Sequence, residues 1–151
     1  MAFDINKLLS TTFEDANSTA STPCPEGEYT VRVDKIELRS ITVRSTQEEK
    51  GILRVKWMID DADGRVKAIT GRDKVLVDQD LWLDLTPEGN MDFGKGMNVQ
   101  LGRMRELFSQ NTPGRPWGFQ MLVGNVARVL VTHRTDDKGV TFAEVKSITA
   151  L

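Results

Sequence analysis

GRDKVLVDQDLWLDLT, residues 71–86, carries the alternation that decides the fold. Val75, Val77, Leu81, Leu83 and Leu85 share one parity, and Lys74, Asp78, Asp80, Trp82 and Asp84 share the other. Side chains on successive strand residues point to opposite faces, so this pattern predicts a half-buried antiparallel strand. Leu76 and Trp82 interrupt the polar parity, and Gln79 interrupts the apolar one. Asp78, Asp80 and Asp84 share one side of the strand. No further ligand cluster accompanies them, so the expectation is a wet face that discourages edge pairing rather than a metal site. Trp82 is a large aromatic on the wet parity. It is either covered by another segment or offered to a ligand that stacks on it.

Upstream, residues 28–43 read as one long strand whose parity slips. Tyr29, Val31 and Val33 share a phase, Ile36 and Leu38 take the other, and Ile41 and Val43 return to the first. A strand that reverses its inward face is bent or bulged, and it can serve two sheets at a barrel corner. After the polar loop 45–51, Leu53, Val55, Trp57 and Ile59 form the next inward face, opposite Arg54, Lys56 and Met58. Trp57 is expected in the core. DDADG, residues 60–64, is a turn by composition, and residues 66–69 lead through Gly71 into the strand quoted first.

Downstream, residues 87–96 form a loop. Its GKG lacks the first glycine, the Ser/Thr and the strand–helix context of a phosphate loop, so nucleotide hydrolysis is excluded. Asn98 offers an N-cap to a helix whose apolar face is Met97, Leu101, Met104, Leu107 and Phe108. Gly102 would allow close packing there, at a cost in helix propensity. Residues 111–116 close the helix, and 119–123 form an apolar connector. Residues 126–134 and 140–148 are strands joined by TDDKG, a good hairpin loop.

Residues 1–24 read as an arm and linker ahead of a domain spanning 25–151. Phe3, Ile5, Leu8, Leu9 and Phe13 are apolar, and Asp4 is placed to cap a short helix. A Ser-, Thr- and Pro-rich stretch follows. Apolar residues ahead of a linker have three alternatives, their own domain, a neighbouring subunit or nothing, and docking is the expectation. Self-association through these five residues, giving a homo-oligomer, is the form that crosses to a neighbour.

The 151 residues suffice for one domain with a real core, at 39% hydrophobic and 28% charged content. The net charge of −2 gives no global field toward DNA or membranes. Its distribution says more. Residues 35–74 hold ten Lys/Arg against seven Asp/Glu, a net of +3, while the rest holds ten against fifteen, a net of −5. The single Cys24 excludes an internal disulfide, and the lone His133 has no nucleophile motif beside it, so it reads as a surface or strand-end residue. No apolar run is long enough for a membrane helix and no signal peptide opens the chain, so a cytoplasmic location is expected. No cofactor is implied. No constellation of nucleophile, base or metal ligands supports an enzyme.

The element order is strand, strand, strand, helix, strand, strand, with a long bent first strand. That order predicts a mainly β protein, a five-stranded OB-like barrel whose helix plugs it between strands three and four. A β-sandwich with one helix is the alternative. PEGEYTVRVDKIELRS, GILRVKWMIDDADGR, LGRMRELF, MLVGNVARVLVTHR and FAEVKSI together resemble a family of phage-encoded OB-fold single-stranded DNA-binding proteins, over residues 25–148. The family's Pro-x-Gly-x-Tyr opening appears as Pro25, Gly27 and Tyr29, and its Leu-x-Gly before strand four as Leu122 and Gly124. The resemblance implies single-stranded DNA binding in phage replication or recombination, in the host cytoplasm. Many members end in an acidic tail that recruits partners. Residues 146–151 contain no acid, so recruitment of that kind is not expected.

A sequence-tolerant single-strand binder needs cations along the backbone path and exposed aromatics for the bases. An OB fold supplies them on strands two and three and on the loops joining strands one to two and four to five. The expected nucleic-acid contacts are Arg32, Arg39, Arg44, Lys50, Arg54, Lys56, Arg72, Lys74, Trp82, Arg134 and Lys138. Trp117 beside Arg115 is a second possible platform. Asp78, Asp80 and Asp84 oppose this reading by repelling phosphate. The alternative function is a structural subunit of a phage virion, a decoration or cement protein, assembled through its arm.

Overall fold

The computed structural model describes residues 2–18 and 21–151. In chain order the elements are α1 (Ile5–Ser10), β1 (Gly27–Thr42), β2 (Glu49–Ile59), α2 (Arg65–Thr70), β3 (Leu76–Leu83), α3 (Val99–Leu107), a 3₁₀ turn (Phe119–Leu122), β4 (Val126–Thr135) and β5 (Thr141–Thr149). The strands close in the order β1-β2-β3-β5-β4, with β4 returning to β1. All neighbours are antiparallel except β3 and β5, which run parallel and meet at Asp78 and Glu144. This is the five-stranded OB-like barrel, not the sandwich.

β1 makes the bend that its parity requires. Residues Gly27 to Arg32 pair with β4, and Val31 to Thr42 pair with β2. The pairing shifts once, between Val33 and Lys35, which turns Ile36 toward the inside after Val31 and Val33. The second reversal expected near Ile41 does not occur. Pairing runs in one register from Lys35–Lys56 to Thr42–Glu49, and Leu38 and Ile41 are exposed where the β1–β2 hairpin projects past the core.

Trp57, Leu53, Val55, Leu81, Val129 and Val131 fill the barrel, and Leu101 and Met104 of α3 close it from below. The Phe108 ring lies 6.2 Å from that of Trp57. Gln79, the polar residue on the apolar parity of β3, accepts a 3.0 Å hydrogen bond from Trp57 Nε1. A buried indole N–H without an acceptor is costly, so the exception in the pattern satisfies another residue's donor.

Two local readings are corrected. Residues 66–69, expected only to lead through Gly71 into the strand, lie in α2. The Asp61 carboxylate accepts from the Val66 and Lys67 amides at 2.9 and 2.8 Å, and Gly71 ends the helix at φ 74°. Positive φ is cheap only without a β-carbon. Asn98 stands at the N-cap position of α3, but its side chain does not cap the helix. It exchanges bonds with Asp84 instead. Asp84 N donates to Asn98 Oδ1, Asn98 N donates to Asp84 Oδ2, both at 2.8 Å, and Asn98 Nδ2 donates to the Asp84 carbonyl at 2.9 Å. The helix is thereby fastened to the end of β3.

α1 forms with Asp4 as its cap, Asp4 Oδ1 accepting from Lys7 N at 3.1 Å. It buries nothing, so docking on its own domain is not seen. Among the described residues no helix is long and apolar enough to cross a membrane.

Candidate nucleic-acid interface

The outer face of β1, β2 and β3 is a ladder of four rungs. Reading across the strands, these are Arg32–Met58–Leu76, Lys35–Lys56–Asp78, Glu37–Arg54–Asp80 and Arg39–Ile52–Trp82. The alternate residues Leu53, Val55 and Trp57 face the core and are fully buried, which fixes the other parity as outward. Five cations stand against three carboxylates on these rungs, a net of +2.

Two of the three aspartates that opposed the binding reading, Asp78 and Asp80, are paired with cations on their own rungs. Arg54 binds Asp80 bidentately, Nε to Oδ1 at 2.8 Å and Nη2 to Oδ2 at 3.0 Å. These bonds, with the guanidinium charge, hold the Asp80 carboxyl below the usual carboxylate range. The same contact raises the Arg54 guanidinium above its ordinary value. Lys56 Nζ lies 3.4 Å from Asp78 Oδ1. Asp84 is occupied with Asn98 as described. The three aspartates thus orient cations and a helix. Among the described residues no group of three His, Cys, Asp or Glu side chains is placed to hold a metal.

Trp82 is 56% exposed, so no segment among the described residues covers it. Beside it Ile52 sits on the outward parity yet is only 4% exposed. Its register neighbours Arg39 and Trp82 flank it on either side, which makes the fourth rung an apolar pair edged by a guanidinium. Arg39 also reaches Glu37 at 3.2 Å.

The remaining expected contacts divide by position. Arg32 shares the ladder and makes no ion pair among the described residues. Arg44 lies in the β1–β2 loop, and Lys50, at the start of β2, pairs with Glu48 at 3.7 Å. Arg134 on β4 pairs with Glu144 at 3.2 Å, and Lys138 lies in the β4–β5 turn. Arg72 and Lys74 have other partners. Arg72 Nη2 donates to the Thr22 carbonyl at 2.8 Å, and Lys74 pairs with Asp34 at the β1 bulge at 3.0 Å. The first clips the linker to the barrel, and the second braces the bend.

A cleft of about 640 Å³ runs between β3 and β5, bordered by Arg54, Asp80, Arg134, Phe142 and Lys146. Phe142 is 45% exposed. Neither Phe142, Lys146 nor the ladder's Lys35 was singled out from sequence. Phe142 carries the signal that exposed Trp82, an aromatic on the parity of Glu144 and Lys146 rather than that of Ala143 and Val145. Trp117, the second aromatic candidate, is half-buried and packed. Its ring meets Phe119 edge-on at 5.3 Å, Arg105 lies over it at 4.1 Å, and its Nε1 donates to Gln110 Oε1.

Cys24 and His133 meet at the root of the linker. The thiol is buried, and that burial pushes its pKa up, away from the reactive thiolate. His133 is exposed near the end of β4, with Nε2 2.7 Å from the Cys24 carbonyl oxygen.

Comparison with protein families finds no matching family model, and comparison with curated proteins finds no significant match. The class is defined by the fold: a closed five-stranded OB-like barrel with a basic outer ladder and exposed aromatics at its edge.

Proposed function

We propose that this chain is a non-catalytic, sequence-tolerant single-stranded DNA-binding protein acting in phage DNA replication or recombination, in the host cytoplasm. The observation that carries the reading is Trp82, exposed on the outward face of β3 in register with Ile52 and Arg39. A base has a π-face whatever its identity, so an uncovered indole next to cations binds single strands without reading sequence. Arg32, Lys35 and Lys56 continue the cationic path along the ladder, and Phe142 offers a second stacking surface across the cleft. The phage setting rests on the resemblance of the chain's motifs alone.

The test is Trp82→Ala in a binding titration with an oligonucleotide. Affinity should fall by about 1–3 kcal/mol, the usual worth of one stacked base. Unchanged affinity together with a lowered melting temperature would make Trp82 a lid over Ile52 and nothing more.

The exposed arm favours a second reading, a virion decoration or cement subunit assembled through residues 3–13. That reading requires self-association indifferent to DNA.

A further inference from the structure

A groove of about 510 Å³ lies along α3, outside the ladder. Met91, Met97, Val99, Trp117 and Phe119 line it, and Gly102 lies among them. Phe93 stands at its edge, 83% exposed. Gly102 is in the middle of α3, where glycine costs about 0.5–1 kcal/mol relative to alanine. Nothing among the described residues requires that loss. A β-carbon at Gly102 would meet only Asn111 Nδ2, at 4.0 Å. The bare backbone leaves room for a partner that the barrel itself does not supply.

The same chain carries an unpartnered segment of matching character. Ile5, Leu8 and Leu9 form an i, i+3, i+4 stripe on α1, with Phe3 and Phe13 on either side. All five are 50–80% exposed. Such a stripe is what a helix lays into an apolar groove. The charges complement each other. Residues 91–119 carry Lys95, Arg103, Arg105 and Arg115 against Asp92 and Glu106, a net of +2. Residues 2–18 carry Asp4, Glu14 and Asp15 against Lys7, a net of −2.

We propose that α1 of one copy docks in the α3 groove of a second copy. Within one chain α1 buries nothing and so does not fill the groove of its own barrel, which leaves its apolar stripe for a neighbour.

The test is sedimentation of the full chain without DNA, from low to high micromolar concentration. Leu8→Asp alters an exposed arm residue, and Gly102→Met fills the groove with a good helix former, so both variants should fold. The wild-type chain should associate reversibly, and each variant alone should be monomeric. An equimolar mixture of the two should regain a dimer, because one supplies an intact groove and the other an intact arm. A wild-type chain that stays monomeric, association that survives either variant, or a mixture that stays monomeric would each overturn the proposal. The DNA reading stands or falls separately, on Trp82.

Discussion

On β3 a single residue's parity decides its use. Gln79 faces inward to accept the Trp57 Nε1 hydrogen bond, Trp82 faces outward, and Asp80 faces outward to hold Arg54. The last pairing limits the cationic path, because a guanidinium bound at two points is less free for phosphate. Asp80→Asn should therefore tighten single-strand binding at low salt. It should also steepen the fall of log K with log salt by up to about 0.7, the increment for one further phosphate contact. A salt slope equal to that of the wild type would place Arg54 outside the binding path. Tyr29 gives a second prediction at this scale. Its hydroxyl donates to the Pro25 carbonyl at 2.7 Å, and burial pushes the phenol up to about 12. The folded state keeps its proton to higher pH than the unfolded state does. The stability contribution is thus complete below pH 10 and is lost as pH rises through about 12. The chain has one tyrosine, so phenolate absorbance reads it alone. Half-titration near pH 10 while the chain remains folded would show that the phenol is not buried as described. The parities of Trp82 and Gln79 were legible from alternation. The Arg54–Asp80 pairing was not, because it needs the register of residues 26 apart in sequence.

Among the elements, β1 and α2 show where local pattern suffices and where it fails. The reversal from Val33 to Ile36 is written in the hydrophobic phase, and it fixes a bulge. The second reversal was misread because Ile41 lies in a projecting hairpin, where no core enforces phase. α2 was missed because Val66, Ile69 and Thr70 are β-branched and favour strands. Its cap comes from Asp61, five residues ahead of Val66. Tertiary placement of Val66 in the core then outweighs propensity. Two glycines separate the effects of backbone and packing. Gly71→Ala forces a β-carbon into the left-handed region at the end of α2 and should destabilise by about 1–2 kcal/mol. Gly102→Ala removes a glycine from the interior of α3 and should stabilise by about 0.5–1 kcal/mol. Denaturant midpoints at concentrations that keep the chain monomeric measure both. Shifts of the same sign would contradict the helix boundaries.

Over the whole molecule, the order of elements implied the barrel, but its closure depended on β3 meeting β5 at Asp78 and Glu144, which no local pattern records. The net charge of −2 conceals a basic stretch from residue 35 to 74, and folding lays much of it on one outer face. Arg72 and Lys74 belong to that stretch in sequence, yet the fold assigns them to the linker and the bulge. The central claim is that the outer face binds single strands through Trp82, and a fluorescence titration with a poly-dT oligonucleotide at low and moderate salt tests it most directly. Trp57 is fully buried and Trp117 is packed between Phe119 and Arg105, so exposed Trp82 dominates any quenching by stacked bases. The account predicts saturable quenching that weakens as salt rises. No quenching and no binding at low salt, where attraction to phosphate is strongest, would contradict it.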